Sequence, residues 1–181
     1  NNLRGRLDER FEEQGSNILT PLEINFQKTD LTFHQFEWYG ENQYVPAEGL
    51  ELNIGLRYLY YDYSAENLIS PRLSIHFFHA ENHLFYFRWG FYYQPPYYYE
   101  ITARGRNSDQ KNSAQRAIHY ILGWEHQLRP TLDLQVEIYY KKLDQLIPYY
   151  IDDLQLIYQG TNTNEGYARG LDILIKGEII E

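Results

Sequence analysis

Cysteine is absent from all 181 residues, so no disulfide framework and no thiolate metal or redox site can exist. Methionine is absent too, even at position 1, which suggests a mature product or a cut piece of a longer chain. Positive charge is scarce: 16 Lys and Arg against 25 Asp and Glu leave a formal net charge of −9. That balance disfavours nucleic acid as a partner, which asks for a basic face. Long apolar runs are also missing. None approaches the ~18 residues of a membrane helix, and no secretory leader is visible. A membrane barrel is not excluded by this, because its strands give a far weaker signal. The mean hydropathy of −0.61 fits alternation better than solid apolar runs.

Aromatics are abundant, with 19 tyrosines. Excess tyrosine suits strands, interfacial belts and stacking surfaces alike. Parity decides how to read them. In residues 116–142, Ile118, Tyr120, Leu122 and Trp124 form one row. His119, Gly123, Glu125 and Gln127 form the other, with Ile121 its one large apolar exception. After a turn at 128–131, Leu132, Leu134, Val136, Ile138 and Tyr140 alternate with Asp133, Gln135, Glu137, Tyr139 and Lys141. Side chains alternate faces along a strand, so this is a hairpin with one uncharged and one charged face. Each arm is about ten residues, the length of a tilted bilayer-spanning strand.

The same alternation predicts other strands. Leu50 to Tyr60 runs against Glu51, Asn53, Gly55 and Arg57; Leu73, Ile75 and Phe77 against Arg72, Ser74 and His76. Phe85 to Tyr93 runs against Tyr86, Arg88, Gly90, Tyr92 and Gln94; Leu171, Ile173 and Ile175 against Gly170, Asp172 and Lys176. Leu22, Ile24 and Phe26 predict a short strand, and Leu31 to Tyr44 an extended one of ambiguous parity. Residues 1–20 read as a loop or poorly defined start, and 21–176 as the strand-bearing part of one partial barrel spanning 1–181.

Tight turns near 46–49, 80–82 and 128–131 alternate with longer connections near 61–70, 94–115 and 143–167. In an up-and-down meander, one end then carries short turns and the other long loops, as in outer-membrane barrels. The uncharged rows hold no Asp, Glu, Lys or Arg in their central stretches and end in Tyr58, Tyr60, Tyr93 and Tyr140 at the long-loop end. A girdle at a bilayer interface has that form. A soluble sandwich or lipocalin-like barrel also alternates, with the uncharged row turned inward. A tyrosine-rich β-sheet module binding carbohydrate is therefore the alternative. Sorted loop lengths and the glycines of the charged row (Gly55, Gly90, Gly123, Gly170) favour the membrane. The expected fold is all-β: an antiparallel up-and-down meander, part of a large transmembrane β-barrel.

Several ordered segments carry a resemblance. They are Gly55-Arg57-Tyr58, Ser70-Pro71-Arg72-Ser74, Gly90-Gln94-Pro96, Leu122-Gly123-Glu125, Glu137-Tyr139-Tyr140-Lys141 and Asn164-Gly166-Gly170-Asp172. In this order, over about 38–176, they resemble the barrel of TonB-dependent outer-membrane receptors. That family has a plug domain, a barrel of about twenty-two strands and a terminal aromatic. The sequence shows neither plug nor terminal aromatic, and is expected to be an internal section of the barrel. The resemblance implies a place in the bacterial outer membrane and uptake of a scarce nutrient such as a ferric siderophore, cobalamin or a glycan. It implies as partners outer-membrane lipid, the remaining barrel strands and plug, the TonB complex through that plug, and a small nutrient ligand. It implies no enzyme activity and no cofactor.

The residues offer little else by way of chemistry. Six histidines are scattered without a compact ligand spacing, and His76 and His79 fall on opposite faces, so no metal site is expected. No serine lies in a nucleophile elbow. Asp133, Glu137 and Glu125 share the charged face and could form a glycosidase-like carboxylate pair, but on a lumen wall they read as solvated acids. No catalytic residue is assigned. Tyr97, Tyr98, Tyr99, Tyr149 and Tyr150, at the starts of long loops, are candidates for an interface girdle or for stacking on a ligand. Arg57, Arg72, Arg88 and Arg116 are expected in the charged row, with Gln94 at the loop entrance. An anionic ligand or plain charge balance would suit those arginines equally.

Overall fold

The computed structural model describes residues 32–80, 82–102, 111–152 and 155–177. Residues 1–20 and the expected strand at Leu22–Phe26 lie outside them. The described residues hold nine strands and one helical turn. The strands are β1 (Gln35–Ala47), β2 (Leu50–Tyr61), β3 (Glu66–His79), β4 (His83–Gln94), β5 (Gln115–Arg129), β6 (Leu132–Leu146), β7 (Tyr149–Asp152), β8 (Gln155–Tyr158) and β9 (Asn164–Gly177); α1 is Tyr98–Thr102. Seven strands form one antiparallel sheet in the order β1-β2-β3-β4-β5-β6-β9, and β7-β8 is a separate hairpin. Among the described residues the sheet is open, with β1 and β9 at its edges.

Register sorts the faces. Ile54 pairs with Leu73, Leu73 with Trp89, Phe87 with Leu122, Leu122 with Ile138, and Ile138 with Leu171. The uncharged rows predicted strand by strand thus form one continuous band. The ambiguous parity of β1 resolves as well: Phe36 and Trp38 pair with Tyr60 and Tyr58 on the uncharged face, so Tyr39 takes the charged one. The band is open to its surroundings, with Leu122 59% and Ile173 63% exposed. Among the described residues no second sheet lies over it. Ile118 is buried, but within the same sheet, where it pairs with Phe91 and Lys142. A sandwich would close this band against a second layer; a barrel wall leaves it outward.

The charged-face glycines are explained by what lies over them. A Cβ on Gly123 would sit 2.0 Å from Tyr86 Cζ, and one on Gly170 would sit 2.5 Å from the Tyr139 hydroxyl. The rings of Tyr86 and Tyr139 lie flat across the neighbouring strand, where only glycine leaves room, the aromatic rescue that pins strand register. Tyr86 is thereby among the most buried side chains of the sheet. Its hydroxyl donates to Glu137 and accepts from Gln135 Nε2 at 2.8 Å.

One expected connection is corrected. Residues 62–70 were predicted as a long polar loop, but the link is only Asp62–Ala65, and Glu66–Ser70 belong to β3. Pro71 misleads the sequence reading, since proline argues against a central strand. Here it pairs with Leu56 of β2 on one side. The ladder to β4 starts only at Arg72–Gly90. Pro71 sits where that second ladder has ended, so its missing N–H interrupts nothing. Beyond it β3 and β4 part. The tight turns hold as predicted: Gly49 adopts φ 75° and Ala80 φ 57°.

Candidate ligand-binding surface at the loop end

The strands run past the tyrosine row at one end and support three connections there. These connections are bonded to one another. Asn162, between β8 and β9, accepts from Ser113 N at 2.8 Å and donates to Ser113 O at 2.8 Å and Gln145 O at 2.7 Å. Gln145 is the left-handed residue of a bulge in β6, at φ 56°, which turns its carbonyl toward Asn162. Glu66, just after the β2–β3 turn, accepts from Ala114 N at 2.9 Å. Gln115 donates to Glu100 Oε1 at 3.3 Å and accepts from Ile147 N at 3.4 Å. Leu59, Leu68 and Ala114 form a small core under these bonds, with Tyr93 packed on it.

On this base the tyrosines form a chain of rings. Tyr97 stacks on Tyr99 at 5.3 Å between centroids; Tyr99 meets Tyr158 at 5.5 Å, and Tyr158 meets Tyr149 at 5.9 Å. The turn before α1 is set by Glu100, whose carboxylate accepts from Tyr97 N at 2.7 Å, a capping bond that fixes both rings. The β7-β8 hairpin brings Tyr149 opposite Tyr158. Tyr97, Tyr99 and Tyr149 are each about half exposed or more. The Tyr99 phenol is pushed above its usual range by desolvation first and by the Glu100 carboxylate second.

Three of the five predicted tyrosines are thus brought together. Tyr98 and Tyr150 are exposed in the same two loops. Tyr158, the ring joining the two loops, was missed, because only the β7-β8 pairing places it opposite Tyr149. Gln94 ends β4 opposite Gln115, below the tyrosines. Arg72 and Arg88 lie farther down the charged face. Arg72 stacks over Tyr92 at 4.8 Å; Arg88 stacks over Tyr86 at 4.2 Å and reaches Glu137 at 3.6 Å. Arg57 is held by Glu37 at 2.8 Å. These guanidinium groups already have partners on the wall.

Arg116 is a correction. It was expected in the charged row, yet it pairs with Tyr93 and Asp144 in the row of Ile118 and Tyr120. It bonds Asp144 at 2.9 Å, above the tyrosines, where the uncharged requirement has lapsed. Parity alone would have assigned it correctly.

At the opposite end the sequence missed another grouping. His79, His83 and His126 are register partners on three adjacent strands of the uncharged face. His83 and His126 stack at 4.1 Å, and Trp124 Nε1 donates to His83 Nδ1 at 3.2 Å. With Phe77 and Phe85 they make a second aromatic band. The His83 and His126 rings lie parallel, and among the described residues no three His, Cys, Asp or Glu side chains converge to hold a metal. His76 faces the other way, as predicted.

Comparison with known proteins bears directly on this arrangement. Residues 3–178 match the family model described as TonB dependent receptor-like, beta-barrel. Among solved structures, the alcaligin outer-membrane receptor FauA from Bordetella pertussis superposes with a TM-score of 0.59 at 18% identity, over 82% of this chain and 28% of that one. The copper transporter OprC superposes with a TM-score of 0.64 at 17% identity, over 82% and 27%. The chain therefore spans little more than a quarter of each. No curated protein sequence matches.

Proposed function

The chain belongs to the TonB-dependent receptor-like β-barrel family, and from that premise we propose that it is a wall section of a receptor importing a scarce nutrient through its loop-end tyrosines. Members of the family are bacterial outer-membrane transporters and receptors. The uncharged band is accordingly the lipid-facing surface and the charged face the lumen wall. That location speaks against a soluble carbohydrate module, as does the seven-stranded sheet, which has no second layer over it among the described residues.

The observation that carries the reading is the run Tyr97–Tyr99–Tyr158–Tyr149. It crosses two loops bonded to each other and fixed to one rim. Stacked phenols offer π-faces and hydroxyls to a ring-bearing ligand entering from outside. The nutrient is a ferric siderophore, cobalamin or a glycan, and the step inward is driven through TonB acting on the plug. This section contributes wall and loops and catalyses no reaction; the wall carboxylates Glu137 and Asp144 are held by Arg88 and Arg116.

The test is growth of cells lacking the parent protein on limiting amounts of each nutrient class, with and without a functional TonB. The deletion is expected to impair growth on one class where TonB is functional, and to add no further loss where TonB is absent, because uptake there has already failed. Replacing Tyr99 and Tyr158 by Ala should raise the half-saturating concentration about tenfold, the scale of one or two lost aromatic contacts. Unimpaired growth on every class would overturn the proposal.

A further inference from the structure

Four residues on the lipid-facing side form a square at the loop end. Tyr140 pairs with Arg169, and Lys142 pairs with Tyr167, on adjacent strands β6 and β9. Side chains two apart on a strand share a face, so all four project outward together, with tyrosine and cation alternating at the corners. Tyr140 and Tyr167 stack at 6.3 Å, and the Arg169 guanidinium lies over the Tyr167 ring at 5.6 Å. Immediately inward the same face carries Ile138, Leu171 and Ile173, all exposed.

Both cations are unusual for their row. Arg169 is exposed and makes no ion pair among the described residues. Lys142 reaches Asp144 at 2.9 Å, but Asp144 is already bonded by Arg116 at the same distance. Glu165 lies one step beyond Tyr167 on the same face. Arg116, Lys142 and Arg169 against Asp144 and Glu165 leave the rim with surplus positive charge in a chain whose net charge is −9. An exposed guanidinium over a phenol ring beside an ammonium, directly above the exposed Ile138, Leu171 and Ile173, matches one ligand: an anionic headgroup whose chains continue down the wall.

We propose that Tyr140, Lys142, Tyr167 and Arg169 form a binding site for the phosphate of an outer-leaflet lipid. Lys142 and Arg169 clasp the phosphate from opposite corners. The two phenols carry the interface between sugar or glycerol and hydrocarbon. The acyl chain lies along Ile138, Leu171 and Ile173. This site faces away from the lumen, so it stands or falls independently of the nutrient reading.

The experiment uses the whole outer-membrane protein in detergent, with diphosphorylated lipid A and the same lipid dephosphorylated as probes, and bound lipid counted by native mass spectrometry. Wild type should prefer the phosphorylated lipid about tenfold, the worth of one or two charge-assisted contacts. K142Q and R169Q should each reduce that preference, and the double variant should abolish it. K176Q, which removes one charge from the lumen face, should leave it intact. Retained heat-modifiable gel mobility identifies folded variants, and the single variants serve if the double variant does not fold. Equal binding of the two lipids by wild type would overturn the proposal. So would a K176Q loss as large as that of K142Q, or displacement by inorganic phosphate as effective as by the lipid.

Discussion

The two ends of this sheet are built to different rules from the same strands. At the turn end, β1–β2 and β5–β6 are joined by two residues each and β3–β4 by three. There the chain reverses with a left-handed Gly49 or Ala80, and short backbone bonds close it, from Phe78 N to Gly49 O at 2.7 Å and from Gln127 N to Asn82 O at 3.0 Å, with the stacked His83 and His126 rings beside them. At the loop end, the β4–β5 and β6–β9 connections carry a helical turn, a hairpin and a small core, bonded mutually through Asn162, Glu66 and Gln115. Order at one end comes mainly from backbone geometry, at the other mainly from side-chain chemistry. A barrel needs the first to insert and close; it needs the second only where something is to be recognised.

The comparison can be broken most sharply below both ends. Gly123→Val drives a side chain into the Tyr86 ring, and folding should fail or lose roughly 4 kcal/mol or more, the range reserved for severe overpacking with a broken polar network. Urea titration of heat-modifiable mobility measures it, and Tyr86→Ala in the same chain should recover part of the loss. A smaller cost is expected on the outer face. Leu122→Arg places a guanidinium at mid-height of the uncharged band and should cost about 2–4 kcal/mol in lipid. His119→Arg, three residues along the same strand toward the loop end but facing the lumen, should cost far less. If both cost the same, the assignment of faces is wrong.

Asn162→Ala addresses the loop end alone. It removes three bonds between loops, worth about 1–3 kcal/mol together, so limited proteolysis should cut the loops faster while the urea midpoint of the barrel barely moves. A shift of that midpoint would mean that the two ends are not separately held. The smallest effect is one of acidity. Asp62 is held below the usual carboxylate range by the backbone N–H of His34, then by the His34 side chain at 3.0 Å. A depressed carboxyl adds stability that is full above its ordinary value and fades as pH falls through its lowered one. Amide exchange near His34 and Asp62 should therefore quicken only in strong acid, and Asp62→Asn should remove that dependence.

How much of this was legible in the sequence follows from the same division. The lipid-facing rows were readable, because hydrocarbon rejects charge at every second position and leaves a period of two. β1 was ambiguous because Tyr39 turns its ring to the lumen, and apolar character alone cannot separate that from Phe36 on the other face. Length misled at β3, where Pro71 and a polar stretch look like loop but lie in a strand extending beyond the bilayer. There, water tolerates any side chain and the pattern dissolves. The β7-β8 hairpin and the meeting of Tyr99 with Tyr158 were invisible for a related reason. Loop partners such as Ser113 and Asn162 are 49 residues apart, and no periodicity announces which side chains will meet. The histidines needed only register: His79 and His83 flank a tight turn, and counting from it pairs them.

The parting of β3 and β4 above Arg72 has a consequence for how the vessel's mouth is shaped. Below it, the seven strands of this section are in unbroken lateral bonding. Above it, Glu66–Pro71 and Phe91–Gln94 each keep one neighbour, and the bond from Ala114 to Glu66 helps to span the slit. In this section, then, side chains hold the gap at the rim, while continuous backbone ladders hold the wall beneath it.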